Sequence, residues 1–151
     1  MARFRYSMQN ILSIKEKMET QAKQRFGEAK RNLDLEEDAL NKLFILREEI
    51  EEHAREVLTG DLDVHEIEDS QMSRIICDEK IAAQKLRVKA AEDELERART
   101  ELEEAVKERK THEKLKEKQF DEFIREENRA ESKVIDELTT YTYGQKVGEN
   151  G

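Results

Sequence analysis

Gly60-Asp61-Leu62-Asp63 is the one turn-like cluster before the last dozen residues of a chain that contains no proline. On either side run two long, charged segments whose apolar residues recur at helical spacing. A polar helix of that length is unstable alone in water and must lay its apolar stripe on something. The cheapest partner for each segment is the other, folded back at Gly60. Gly60 stands where a helix C′ residue with left-handed backbone is wanted. Asp63 followed by Glu66 reads as a capping box opening the second helix. The expected fold is therefore all-α: two long helices in one antiparallel coiled-coil hairpin spanning residues 1–143. Helix 1 is expected over about 3–58, the turn over 59–63, helix 2 over about 64–142, and a disordered tail over 144–151.

Composition points the same way. Apolar residues make up 36% of the 151 residues and charged residues 43%, with no Trp, which is too little apolar surface for a wide globular core. The sustained heptads favour a coiled coil over disorder. The net charge of −9 argues against general nucleic-acid affinity, because no overall basic field attracts phosphate. The charge is uneven, however. Residues 1–31 carry eight Lys/Arg against three Glu, whereas residues 34–69 carry three Lys/Arg against fourteen Asp/Glu. The single cysteine, Cys77, allows no intramolecular disulfide and suits a reducing compartment. The opening residues lack the apolar stretch of a secretory signal, and no run approaches the ~18 apolar residues of a membrane span. A soluble, cytoplasmic protein is expected.

The expected seam of the first arm runs Phe4, Met8, Ile11, Lys15, Met18, Ala22, Phe26, Ala29, Leu33, Glu36, Leu40, Leu43, Arg47, Ile50, Ala54 and Val57. Its steps alternate three and four except for one extra four between Ala22 and Phe26, a stutter that would locally unwind a supercoil. The second arm reads Ile81, Gln84, Val88, Ala91, Leu95, Ala98, Leu102, Ala105, Arg109 and His112, with small Ala91, Ala98 and Ala105 letting the helices approach closely. After His112 the phase is expected to slip onto Phe120, Ile124, Glu127, Glu131, Val134, Leu138 and Tyr141. Folding about the turn places position i opposite about 122 − i. Residues beyond about 122 would then overhang with apolar surface to spare, awaiting a partner or the N-terminus.

No catalytic, cofactor or metal site emerges. His53, His65 and His112 share no i/i+4 spacing and stand near no second ligand type. Cys77 has no neighbouring base, and glycine-rich phosphate loops are absent. The segment Lys107–Lys118 holds six Lys/Arg against three Glu. A solvated face laced with i,i+4 pairs accounts for such a run by itself. Hairpin geometry adds that it falls beside Arg3, Arg5, Lys15 and Lys17, which points to an acidic protein partner. Nearer the turn, Leu35, Phe44 and Ile45 fall on outer or flanking heptad positions, with Met72 and Ile76 on the opposing arm; they form a candidate docking patch.

Phe4-Arg5-Tyr6 followed by Ile11-Leu12-Ser13-Ile14-Lys15-Glu16 resembles the N-terminal signature of the flagellar export protein FliJ family. The turn Gly60…Asp63-Val-His-Glu66 resembles that family's hairpin. The clearest match to the family is Glu113-Lys-Leu-Lys-Glu-Lys-Gln-Phe120, continuing to Phe123, Ala130-Glu131 and Asp136-Glu137. The resemblance covers nearly the whole chain. It implies a coiled coil similar to a rotary-ATPase central stalk, without enzymatic activity or cofactor. The implied partners are the hexameric flagellar export ATPase, the cytoplasmic domain of the export gate, and export chaperones that the protein escorts, with membrane association only peripheral and through those partners. On this resemblance Phe4, Arg5, Met8, Leu12, Lys114, Lys116, Lys118, Phe120 and Phe123 are the candidate ATPase-binding residues. Leu35, Phe44, Ile45, Met72 and Ile76 are the candidate gate or chaperone docking residues. The alternatives are the stalk of a virulence-type secretion system and a structural coiled coil that self-associates through its overhang.

Overall fold

The computed structural model describes residues 3–149. Two helices account for nearly all of them: α1, Gln9–Val57, and α2, Val64–Glu149, packed against each other as a hairpin. At the turn the Thr59 amide and hydroxyl both donate to the Glu56 carbonyl, at 3.0 and 2.8 Å, closing the last turn of α1. Gly60 follows with φ of 87°, a conformation only glycine adopts freely. Asp63 then caps α2, its Oδ1 accepting from the His65 amide at 2.9 Å. The turn thus uses the residues the sequence assigns to it.

The helix ends differ from expectation. α1 begins at Gln9 rather than near residue 3, because Phe4 and Tyr6 leave the helical path and Tyr6 is buried. The Gln9 amide donates back to the Tyr6 carbonyl at 3.1 Å, which starts the helix there. α2 continues past residue 142, through Gly144 and Gly148 to Glu149, where an unordered tail is expected. Asn150 and Gly151, the end of that tail, lie outside the described residues.

The chain forms two compact units: a turn unit, Thr20–Glu104, and a terminal unit built from the described parts of 1–19 and 105–151. In the turn unit most of the expected seam holds, with Arg47 exposed and Cys77 joining the buried positions. Ala22, Ala29, Val57, Cys77, Ile81, Ala91 and Ala98 are buried, with Leu33, Leu40, Leu43, Val88 and Leu95 half-buried between them. Polar seam residues are satisfied across the pair: Gln84 donates to the Glu36 carbonyl at 3.0 Å and also to the Glu36 carboxylate. Arg47–Asp78 at 3.1 Å and Arg74–Glu51 at 2.7 Å flank the seam within about three residues of the expected pairing.

In the terminal unit the seam has a different phase from the one expected. Leu12 is 2% exposed and Glu19 7%, whereas Ile11 and Met18 are 39% and 43% exposed. The seam therefore steps Met8, Leu12, Lys15, Glu19, alternating four and three, and the spacing from Glu19 through Ala22 to Phe26 needs no stutter. On α2 the spacing runs on past His112 to Phe123, and of the expected later stripe only Glu127 is half-buried. Arg109, His112, Lys116, Gln119 and Phe123 are all half-buried at unbroken spacing, while Phe120 and Ile124 are exposed. In both helices the apolar pattern misleads because charged residues occupy the seam. Beyond the seam, every side chain from Asn128 to Gln145 is exposed.

Gly60 has no atom within 4 Å of where a Cβ would stand, so Gly60→Ala meets no clash and carries only the cost of positive φ. That cost is about 1 kcal/mol, and it should appear as a lower urea midpoint at unchanged m-value.

Candidate docking surfaces

The terminal unit holds all nine residues that the sequence marks as candidate ATPase contacts. Phe4 sits between two α2 rings, edge-on to Phe120 at 5.2 Å and tilted against Phe123 at 5.5 Å. This aromatic cluster ties the non-helical N-terminal residues to α2. Arg5, Lys114 and Lys118 project into solvent, available to a partner. Lys116 is half-buried and donates to Gln9 Oε1 at 2.7 Å, and Met8 is half-buried beside it in the seam. Leu12 is core, so its role is packing rather than contact. Of the nine candidates, the free basic groups are therefore three, with Phe120 the most exposed ring.

Two ion pairs organise this unit. Lys15 Nζ lies 2.8 Å from Glu108 Oε2, and that hydrogen bond holds the Glu108 carboxyl below the ordinary carboxylate range. The buried Glu19 carboxylate accepts from Arg109 Nε and, at 3.4 Å, from Arg109 Nη2, a two-pronged arrangement that guanidinium geometry favours. Arg109 also donates to Glu113 at 2.8 Å, and these carboxylates, Glu19 foremost, stabilise its charged form.

The turn unit distributes its candidate docking residues around the helix pair. With the seam as reference, Leu35 and Ile76 fall on one flank, Phe44 on the other, and Ile45 and Met72 on the outward backs of their helices. All five are exposed, and Lys85 stands over the Phe44 ring with Nζ 5.8 Å from its centroid. They do not converge on one patch. Among the described residues, no group of three or more His, Cys, Asp or Glu is placed to hold a metal ion, and no helix is long and apolar enough to cross a membrane.

The sequence matches the family described as "Flagellar FliJ protein" over residues 4–148. The chain belongs to the FliJ family. The hairpin is also similar to the solved structure of a YscO homologue from Chlamydia trachomatis, with a TM-score of 0.75 and 29% identity over 93% of this chain and 96% of that one. No curated protein matches the chain. Both likenesses span the whole hairpin, so the FliJ-like features extend beyond one local motif.

Within the FliJ-family motif Ile11-Leu12-Ser13-Ile14, the structure turns Leu12 inward and leaves Ile11 and Ile14 outside. These two, together with Met18 and Leu115, form exposed apolar surface that the sequence reading did not select. The available signal was regularity. A seam through Leu12 and Glu19 keeps strict alternation of threes and fours, whereas one through Ile11 and Met18 requires a stutter.

Arg109→Leu removes the guanidinium that the buried Glu19 carboxylate accepts from, and should lower the urea midpoint of unfolding. The double variant Glu19→Leu/Arg109→Leu should recover most of that loss in urea denaturation, since leucine suits a seam position.

Proposed function

We propose that this FliJ-family chain serves type III protein export as the stalk of the flagellar export ATPase. In this reading it promotes assembly and turnover of the ATPase ring, contacts the export gate and escorts export chaperones. The observation that carries the reading is the family match across residues 4–148, joined to a helix pair of the stalk kind. The physical features fit the role. A stalk needs a narrow, stiff helix pair and charged outer faces for a polar lumen, and it needs no catalytic group. The ring would supply the ATP chemistry, and the stalk would only bias its subunits among states.

In this proposal Arg5, Lys114 and Lys118 bear the ATPase contact, with Phe120 beside them, because these are the candidates whose side chains are free. Gate and chaperone docking would fall on the turn unit, on separate faces carrying Leu35 and Ile76, Phe44, or Ile45 and Met72. Any presence at the membrane would come through these partners. The likeness to a YscO homologue favours a second reading, in which the same stalk serves a virulence-type secretion ATPase.

Adding the protein to the purified flagellar export ATPase should raise ATP turnover and oligomerisation. Arg5→Glu and Lys114→Glu/Lys118→Glu should each abolish most of that stimulation while leaving the helical circular dichroism intact. No stimulation by the wild type would sink the stalk reading, and stimulation only of a virulence-type ATPase would select the second.

A further inference from the structure

One flank of the terminal unit carries apolar surface that neither the seam nor the proposed ATPase contacts use. Ile11, Ile14 and Met18 recur at three- and four-residue spacing on α1 and are 39, 54 and 43% exposed. They occupy the heptad positions just before the seam residues Leu12, Lys15 and Glu19, so they share one side of the helix. On α2, Leu115 holds the corresponding position before Lys116 and is 40% exposed. The hydrogen bond from Lys116 to Gln9 brings residues 115 and 116 alongside the start of α1, placing Leu115 on the same flank as Ile11.

The charges around this stripe have one predominant sign. Lys17, Lys114 and Lys118 are exposed, and none makes an ion pair among the described residues. Of the carboxylates on this flank, Glu108 is held by Lys15, which leaves Asp121 and Glu122 at its edge. A second copy of the chain would bring the same lysines against themselves, which disfavours self-association. An anionic membrane would meet only four aliphatic side chains and no aromatic ring, too little to anchor the flank.

We propose that this flank is a docking groove for an acidic amphipathic helix of a partner protein. Ile11 to Met18 spans about 10 Å along α1, two helical turns. That length matches a partner helix presenting apolar residues at i, i+3 or i+4, and i+7. The lysines would meet carboxylates on the partner's polar edge, which sets orientation and speeds encounter. The groove goes beyond the ATPase reading. The two share Lys114 and Lys118, but Ile14 and Met18 belong to the groove alone.

The test titrates the full chain against a fluorescent, roughly 20-residue helical peptide with leucines on one face and glutamates elsewhere, alongside its lysine counterpart. The glutamate peptide should bind with an affinity that falls as salt rises. Ile14→Glu/Met18→Glu should weaken it at least about tenfold while the helical signal and ATPase stimulation stay unchanged. Equal binding by wild type and this variant would overturn the proposal, as would equal affinity for the lysine peptide. Binding to vesicles of anionic lipid without binding to the peptide would give the flank to a membrane. A dimer in sedimentation that the variant dissolves would give it to a second copy. Either result would overturn the acidic-helix assignment.

Discussion

Two helices packed side by side have a single line along which to bury anything, and that line must keep the alternating three- and four-residue spacing of the heptad. In this protein the spacing takes precedence over residue chemistry. Glu19, Gln84, Lys116 and Arg109 enter the seam because they stand at the required positions, and each is made tolerable by a hydrogen bond or ion pair across or along it. Burying such groups is costly unless they are paired, so Glu19–Arg109 and Gln84–Glu36 are conditions of the packing rather than additions to it. Everything left outside, including three exposed apolar residues of α1, follows from that phase.

The same constraint bears on function. Helices held together by so thin a core have little interior in which to build a catalytic pocket. What they offer is surface, sorted by heptad position into flanks and backs. In the terminal unit that surface includes the basic stretch Lys107–Lys118, an aromatic cluster fixing the N-terminal residues and an aliphatic stripe on one flank. In the turn unit the surface lies within a strongly acidic stretch, and its apolar residues point in several directions. This FliJ-family protein therefore presents several distinct faces rather than one.

Much of the fold could be read from the sequence because turn chemistry is local. Glycine at positive φ and an aspartate cap are specified by single residues, and Gly60 and Asp63 do what their side chains require. The turn-unit seam was legible for the same reason that hydrophobic periodicity works elsewhere: its buried positions are mostly apolar. The terminal unit was harder. There, following hydrophobicity led to Ile11 and Met18, and then required a stutter in α1 and a slip in α2 to restore the pattern. Neither exists, because Leu12–Glu19 and Arg109–Lys116 continue the heptad with charged members whose partners lie about ninety residues away in the chain. A sequence read one arm at a time does not reveal that compensation. The aromatic contact of Phe4 with Phe120 and Phe123 was hidden similarly, since Phe4 fits helical spacing with Met8 yet lies outside the helix.

The phase of the terminal seam decides which residues are core and which are free to bind, and paired urea unfolding of Leu12→Ala and Met18→Ala tests it most directly. Leucine 12 is core, so its truncation should cost about 2–4 kcal/mol, whereas truncating Met18 should cost less than about 1 kcal/mol. The opposite order, with Met18→Ala the more damaging, would put Met18 in the seam and contradict the account.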